Sequence, residues 1–148
     1  MHLFMIQLMV AVNLNNGWDT FDKVEYLDIN QGQITSPGYP GKYTNNVKHA
    51  WEIRTRPNLT YFIFTIHDMD IPCGDYLKIE EVNPCCHTPF YKCGKMHEQK
   101  RTVYVRGKQI RISFTSDNTL NARGFNLSWT GICIILYLFS TLFFIHYL

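Results

Sequence analysis

The sequence lacks the short motifs that mark many hydrolases. It contains neither the H-E-x-x-H zinc-peptidase motif nor the G-x-S-x-G nucleophile motif. No stretch between the two ends has the apolar spacing of a convincing amphipathic helix, and no internal repeat is present. A net charge of only +2 argues against nucleic acid as the main partner. We therefore expect neither an enzyme nor a nucleic-acid-binding protein.

Charged side chains are nearly absent from both ends of the chain. Met1–Val12 is mostly apolar and ends near the small Ala11, so residues 1–15 resemble a secretory signal peptide, although its start lacks Lys and Arg. Residues 132–148 contain no Asp, Glu, Lys or Arg, and their length is near the lower limit of about 17 residues for a bilayer-spanning helix. We interpret this tail as either a membrane anchor or an artefactual end.

Cysteine is absent from the first 72 residues of the chain. The five cysteines are Cys73, Cys85, Cys86, Cys93 and Cys133, and their odd number leaves at least one thiol unpaired or joined to another chain. Two N-glycosylation sequons begin at Asn58 and Asn126. Together with the apolar start, these features predict an extracellular protein that is secreted or anchored at the cell surface.

Short apolar segments separated by turn residues dominate the middle of the chain. Residues 16–30 have little periodicity and are interpreted as a join, and from Gln31 closely spaced Gly and Pro predict a shaped loop. Arg106-Gly107-Lys108 predicts a hairpin turn. An all-β antiparallel sandwich or barrel follows from this pattern. We predict six strands, at Ala50–Arg56, Leu59–Ile66, Tyr76–Val82, Arg101–Val105, Gln109–Thr115 and Phe125–Thr130.

Acidic residues gather in the stretch Ile66–Ile79, between two apolar segments. Asp68, Asp70 and Asp75 lie there, and carboxylates this close repel one another unless a cation or a basic group sits among them. Oxygen ligands on a loop are those that Ca²⁺ prefers. The alternative interpretation is an ordinary acidic turn exposed to solvent.

Six motifs occur in order between residues 31 and 131. Together they resemble the CUB domain, whose opening has the pattern G-x-I-x-S-P-x-Y-P and whose centre has the pattern C-x-x-D-Y-L-x-I. The central motif of this chain is one residue shorter between Cys73 and Asp75. The motifs are GQITSPGYP at 32–40, NNVKHAWEI at 45–53, CGDYLKI at 73–79, YKCG at 91–94, FTSD at 114–117 and GFNLSW at 124–129.

The resemblance implies an all-β, antiparallel, jelly-roll-like β-sandwich of the CUB/spermadhesin type over residues 31–131. Such domains bind other proteins, often through Ca²⁺. The metal ligands it implies are Asp68, Asp75, Asp117 and oxygens at Asn118, with Tyr39 bracing a carboxylate. Asp70 lies outside the matched positions.

The same resemblance implies a disulfide between Cys73 and Cys93. The chain departs from the family at its other cysteine pair, since no cysteine precedes Cys73 and His49 stands at the second position of the missing pair. Asp68 is also shorter than the Glu that is common at its position.

We interpret the chain as an extracellular, Ca²⁺-dependent protein-binding or adhesion module whose partner presents Lys. One alternative is an accessory CUB domain of an extracellular protease whose catalytic part is absent from this chain. Another is a small structural protein held in the membrane through residues 132–148.

The cysteines, histidines and basic residues suggest three other functions. Zn²⁺ ligation and a Cys–His nucleophile both lack a standard spacing or an orienting third group. Basic residues in the second half could face an acidic partner or a glycosaminoglycan, although scattered Lys and Arg are usually solvated surface. The zinc candidates are Cys85, Cys86, His87, Cys93 and His97, and the basic residues are Lys95, Lys100, Arg101, Arg106, Lys108 and Arg111.

Overall fold

The computed structural model describes residues 20–27, 30–55, 59–96 and 100–133. No helix occurs within these ranges, so nothing there could cross a bilayer as an apolar helix. The described chain forms ten strands: β1 Lys23–Tyr26, β2 Gln31–Thr35, β3 Lys48–Arg54, β4 Leu59–Ile71, β5 Tyr76–Asn83, β6 His87–Lys92, β7 Gly94–Met96, β8 Arg101–Val105, β9 Gln109–Thr115 and β10 Gly124–Cys133.

The strands form two sheets that pack face to face. The first sheet has the order β1-β3-β9-β5-β6, and the second has the order β2-β10-β4-β7, with β8 also paired to β4. All pairs are antiparallel except β1 with β3, which is parallel. The predicted all-β, antiparallel sandwich is confirmed. All six predicted strands are present. Strand β4 extends five residues beyond its predicted end at Ile66, so Asp68 and Asp70 lie in a strand and not in the predicted loop.

Alternating residues of the two sheets fill the core between them. In β4, Phe62, Phe64 and Ile66 are fully buried, as are Met69 and Ile71 further along the strand at 0–2 % exposure. The buried residues of β4 change from even-numbered to odd-numbered positions at a β-bulge, where β10 pairs with residues 66 and 68 but skips His67. Because the bulge reverses the alternation, Asp68 and Asp70 avoid the core.

Four strands were not predicted: β1, β2, β6 and β7. Strand β1 lies in the segment interpreted as a join, and its pairing with β3 is a long-range contact that local periodicity does not reveal. Strand β2 contains Gly32, a residue that weakens strand predictions. The glycine is required there because the indole of Trp129 lies over it, 2.3 Å from where a Cβ would be.

The predicted hairpin at Arg106–Lys108 is wrong. Strand β8 pairs with β4 in the second sheet, whereas β9 pairs with β3 and β5 in the first. The segment therefore crosses between sheets, and the Lys108 N–H donates to the Asn83 carbonyl at 2.6 Å. A glycine turn shows where the chain bends, but the partner of each strand depends on tertiary packing.

The last described strand enters the apolar tail. Ile132 and Cys133 belong to β10 and pair with Tyr61 and Leu59 of β4. Residues 134–148, and the predicted signal peptide at 1–15, lie outside the described residues.

Candidate cation site at one end of the sandwich

A short turn, residues 72–75, joins β4 to β5 and presents the central acidic residue. The Asp75 N–H donates to the Pro72 carbonyl at 3.1 Å, which closes the turn. Cys73 in this turn is bonded to Cys93 between β6 and β7, with an S–S distance of 2.02 Å and Cα atoms 5.1 Å apart. The predicted disulfide is therefore confirmed, and it fastens the β4–β5 turn to the connection between β6 and β7.

Asp75 is a buried carboxylate whose two oxygens are both hydrogen-bonded. Its exposed fraction is 2 %. The Tyr43 hydroxyl donates to Oδ2 at 2.5 Å, and the Asp117 backbone N–H donates to Oδ1 at 2.7 Å. Burial, followed by the bond to Asp75, raises the pKa of Tyr43 well above its usual range. Tyr43 thus remains a donor at all ordinary pH values, and Asp75 is firmly positioned.

Asp117 follows β9 and faces the 72–75 turn. Its Oδ1 accepts hydrogen bonds from the Thr119 N–H at 2.7 Å and the Thr119 hydroxyl at 2.6 Å, and these bonds lower the pKa of Asp117. Its Oδ2 points at Gly74, lying 2.7 Å from where a Cβ would be. Gly74 also has a φ of +126°, so only glycine suits this position. The two acidic turns consequently approach each other closely.

Two backbone oxygens of the loop after β9 accept hydrogen bonds from the segment before β3. The Asn118 carbonyl accepts a bond from Asn45 Nδ2 at 3.0 Å, and the Asp117 carbonyl accepts one from the Asn46 N–H at 2.8 Å. Asn121 in turn donates to Asn45 Oδ1 at 3.0 Å. These bonds fix the 117–121 loop against the segment before β3.

Asp68 is held by a cation of the protein itself. Arg123 Nη2 lies 2.9 Å from Oδ1, and Arg123 Nε lies 2.9 Å from Oδ2. The Tyr39 hydroxyl donates to Oδ2 at 3.0 Å, so Tyr39 does brace a carboxylate. The pKa of Tyr39 is raised, first by burial and then by Asp68. Asp75 and Asp117 are thus joined directly, whereas Asp68 is joined to Arg123.

Asp70 is the residue that motif matching passed over. Its charge adds a minor contribution, after burial and Asp75, to the raised pKa of Tyr43. Lys95 Nζ lies 3.8 Å from its Oδ1. A motif alignment assigns positions by sequence spacing, and the bulge at His67 shows why spacing alone is uncertain in this strand.

Comparison with known proteins defines the family. A family model for the CUB domain matches residues 23–129. The chain belongs to the CUB domain family. It is 34 % identical to cubilin of Canis lupus familiaris over 109 residues, which are 68 % of this chain and 3 % of cubilin. It is 30 % identical to zinc metalloproteinase nas-39 of Caenorhabditis elegans over 105 residues, 68 % of this chain and 10 % of that protein.

A solved CUB structure has the same fold. The crystal structure of the MASP-1 CUB2 domain bound to Ca²⁺ superposes with a TM-score of 0.54 at 26 % identity, covering 75 % of this chain and 99 % of that chain. The present chain thus corresponds to one CUB domain, and it spans only a small part of the length of cubilin and nas-39.

The CUB motif comparison also explains the role of His49. This residue stands where the resemblance places a family cysteine, and its Nε2 lies 3.1 Å from Glu25 Oε1 on β1. Its ring stacks on Trp51 with centroids 4.0 Å apart. In this CUB domain His49, with its polar contact to β1, therefore stands in place of that cysteine.

The oxygen atoms at this end of the sandwich are ligands that a hard cation prefers, but the predicted carboxylates do not all lie together. Oxygens of Asp75, Asp117 and Asn118 lie in adjoining turns, and oxygen is the ligand atom of Ca²⁺. Among the described residues, no three His, Cys, Asp or Glu side chains cluster as a preformed metal centre. Completing a calcium shell therefore requires a carboxylate of β4 or water to join Asp75 and Asp117.

The remaining predicted site residues have separate locations. Asn126 lies half-buried in β10, and its Oδ1 accepts a bond from Gln33 Nε2 at 2.7 Å. Glycosylation there stays a prediction. Asn58 and His97 lie outside the described residues. Since Cys93 is bonded to Cys73, its sulfur is not a thiolate that could bind zinc.

Proposed function

We propose that this CUB domain is a non-enzymatic, extracellular protein-binding module that holds one Ca²⁺ at the end of its sandwich. The observation that carries the proposal is the bond between the Asp117 N–H and Asp75 Oδ1 at 2.7 Å. This contact brings two separate acidic turns together at one end of the sandwich. A cation between the two turns would stabilise the carboxylates of both Asp75 and Asp117.

The ligands we propose are Asp75, Asp117 and the oxygens of Asn118, with Asp68 as the third carboxylate and Tyr39 bracing it. Asp68 must exchange Arg123 for the metal, and Asp70 is the alternative third carboxylate because its charge already acts on Tyr43. A Ca²⁺ ion bound here would hold the 72–75 turn against the 117–121 loop. The similar MASP-1 domain, whose structure is bound to Ca²⁺, supports this choice of metal.

We propose that the partner is an extracellular protein presenting Lys to this end. A groove of about 460 Å³ adjoins the site and is lined by residues 40–42, Asp70, Pro72, Lys95 and residues 120–123. Leu120 on its rim is 75 % exposed, so it offers an apolar contact beside the acidic one. The protein would be secreted, or anchored through residues 132–148.

Calcium titration of the full chain tests the metal site. Ca²⁺ bound only to the folded state stabilises it by about 2.7 kcal/mol at a hundredfold excess over Kd. Millimolar Ca²⁺ should therefore raise the melting temperature of the wild type. The rise should vanish in Asp75→Asn and Asp117→Asn, and it should shrink in Asp68→Asn. A loss in Asp70→Asn with none in Asp68→Asn assigns the third ligand to Asp70.

Controls separate metal binding from general charge effects. Asp22→Asn removes an exposed carboxylate near β1 and should keep the full calcium response. Because Asp75→Asn also lowers stability without metal, the quantity compared is the shift on adding Ca²⁺ and not the melting temperature itself. A wild-type melt that Ca²⁺ leaves unchanged, together with a flat calorimetric titration, contradicts the metal site.

A second function is favoured by the relatives that are proteases. The match to nas-39 supports the proposal that this domain is an accessory part of an extracellular protease. Sequencing of the full-length transcript distinguishes the two functions, since a protease domain in the same reading frame is expected only for the second.

A further inference from the structure

Charge is distributed very unevenly along the chain. Residues 82–116 contain seven Lys and Arg but one acidic residue, Glu98, which lies outside the described residues. The rest of the chain contains seven Lys and Arg against eleven Asp and Glu. A near-neutral protein therefore carries one strongly basic segment.

The fold places much of this segment along one lateral edge of the sandwich. Strands β7 and β8 both pair with β4, one after the other, so they form a single interrupted edge. Lys95 pairs with Asp70 and Arg101 with Ile66, and the Arg106 guanidinium lies 4.2 Å from the ring centre of Tyr61. At about 3.3 Å per residue, these three cations span roughly 30 Å. We call Lys95, Lys100, Arg101 and Arg106 the basic edge.

The basic edge is exposed and has few acidic neighbours. All four side chains are exposed, as is Lys92 on the adjacent edge strand β6. Lys95 has Asp70 at 3.8 Å, and the Glu81 carboxylate accepts a hydrogen bond from the Arg106 backbone N–H at 2.9 Å. No ion pair joins a carboxylate of the described residues to the side chains of Lys100, Arg101 or Arg106. By contrast, Arg111 is occupied by Glu52 at 2.7 Å and is excluded from the edge.

Aromatic side chains lie among these cations. The Arg101 guanidinium is 5.6 Å from the ring centre of Phe90, and the exposed Tyr104 lies on β8 between Arg101 and Arg106. Stacking on rings holds the two guanidinium groups in place, which lowers the entropy lost when they bind an anion.

We propose that the basic edge binds a sulfated glycosaminoglycan. The ligand must be a polyanion of extended shape, because the cations form a row of roughly 30 Å rather than a compact patch. A sulfated polysaccharide meets both conditions: sulfate accepts charge-assisted hydrogen bonds from Arg and Lys, and a sugar ring can lie on Tyr104. An acidic protein partner would be expected to use a compact apolar centre, which the described edge strands lack.

Heparin binding by the full chain tests the proposal, with EDTA present so that the result does not depend on the calcium site. The substituted protein carries Lys100→Gln, Arg101→Gln and Arg106→Gln. The matched control carries Lys23→Gln, Lys48→Gln and Arg54→Gln, which are exposed elsewhere and change the net charge equally. Counterion release predicts that the first set weakens binding by at least about tenfold and flattens its salt dependence, and that the control changes it less than about twofold.

Two further measurements keep the test decisive. The double substitution Lys92→Gln with Lys100→Gln removes exposed lysines that, among the described residues, stack on no ring. A loss of heparin binding in this protein therefore does not arise from lost aromatic packing. The melting temperature of each substituted protein is also measured and should equal that of the wild type. Desulfated heparin and polyglutamate should bind several-fold more weakly than heparin. Equal losses in the edge and control sets, or polyglutamate binding as tightly as heparin, overturn the proposal.

Discussion

At the scale of single residues, the acidic end depends on a few polar groups that are fixed by burial. Asp75 has almost no access to water, so its charge is stabilised by Tyr43 and by the Asp117 N–H. A buried carboxylate without such partners is strongly unfavourable. The fold itself therefore fixes the position of the Asp75 carboxylate.

Tyr43→Phe should destabilise the fold by about 1–3 kcal/mol, because it leaves one oxygen of buried Asp75 without its donor. The free energy of unfolding in urea measures this loss. Tyr104→Phe is the control, since Tyr104 is 68 % exposed and the same atom is removed; its effect should stay within about 0.5 kcal/mol. Equal effects of the two substitutions would show that the Tyr43 hydroxyl is not needed.

His49 should make stability depend on pH in the weakly acidic range. Burial lowers the pKa of His49 below its ordinary value, and nearby Glu25 only partly opposes this. The unfolded chain then binds a proton first, near pH 6.5, so stability is complete above that pH and falls as pH decreases towards the folded pKa.

Urea midpoints at pH 7.5 and 5.5 measure this dependence. His49→Gln should reduce the difference between the two midpoints, and His87→Gln, whose side chain is 69 % exposed, should leave it unchanged. A difference that is the same in His49→Gln as in the wild type would assign the pH dependence to other groups.

At the scale of elements, the disulfide and the bulge orient the acidic turn. The bulge in β4 turns Asp68 and Asp70 away from the core, and the Cys73–Cys93 bond fixes the end of that strand. The bulge at His67 and the disulfide at Cys73 both lie in the segment that leads to Asp75.

Replacing Cys73 and Cys93 with Ser should lower stability by about 3 kcal/mol, because the bond closes a loop of 20 residues in the unfolded chain. Thermal melts of the oxidised proteins measure the effect. Cys85 and Cys86, at the exposed β5–β6 turn, are bonded to each other. Replacing both with Ser is the matched control and should cost less, because a bond between adjacent residues closes no loop. Equal losses would mean that loop closure is not the source of the stability.

At the scale of the whole molecule, the domain has two chemically different surfaces. One end carries Asp75, Asp117 and the groove, and one lateral edge carries exposed Lys and Arg. Lys95 lies where the two surfaces meet, since it lines the groove beside Asp70 and also belongs to the basic edge.

The apolar tail should make the full chain depend on detergent for solubility. Ile132 and Cys133 pair with β4, so the truncated protein should end at Cys133 to keep β10 whole. We expect the truncated protein to stay soluble without detergent in sedimentation assays, because 15 uncharged residues have been removed. Equal solubility of both proteins would contradict a membrane anchor.

The sequence by itself determined the family, the all-β class, the disulfide that the resemblance implied, and the turns at Asp75 and Asp117. These depend on local motifs such as CGDYLKI and on strand alternation, which are written in consecutive residues. The family match and the strands confirm them. The loop expected around Asp68 and Asp70 is instead part of β4.

Only the tertiary structure decided which groups meet. Strand β1 pairs with β3, and β8 and β9 belong to different sheets. Asp68 forms an ion pair with Arg123, and the charge of Asp70 contributes to the raised pKa of Tyr43. The tertiary structure also aligned cations from β7 and β8 along one edge. Each of these contacts joins residues that are distant in sequence or depends on a one-residue bulge. Local propensity carries no information about such contacts, because their energies exist only once the two sheets have packed.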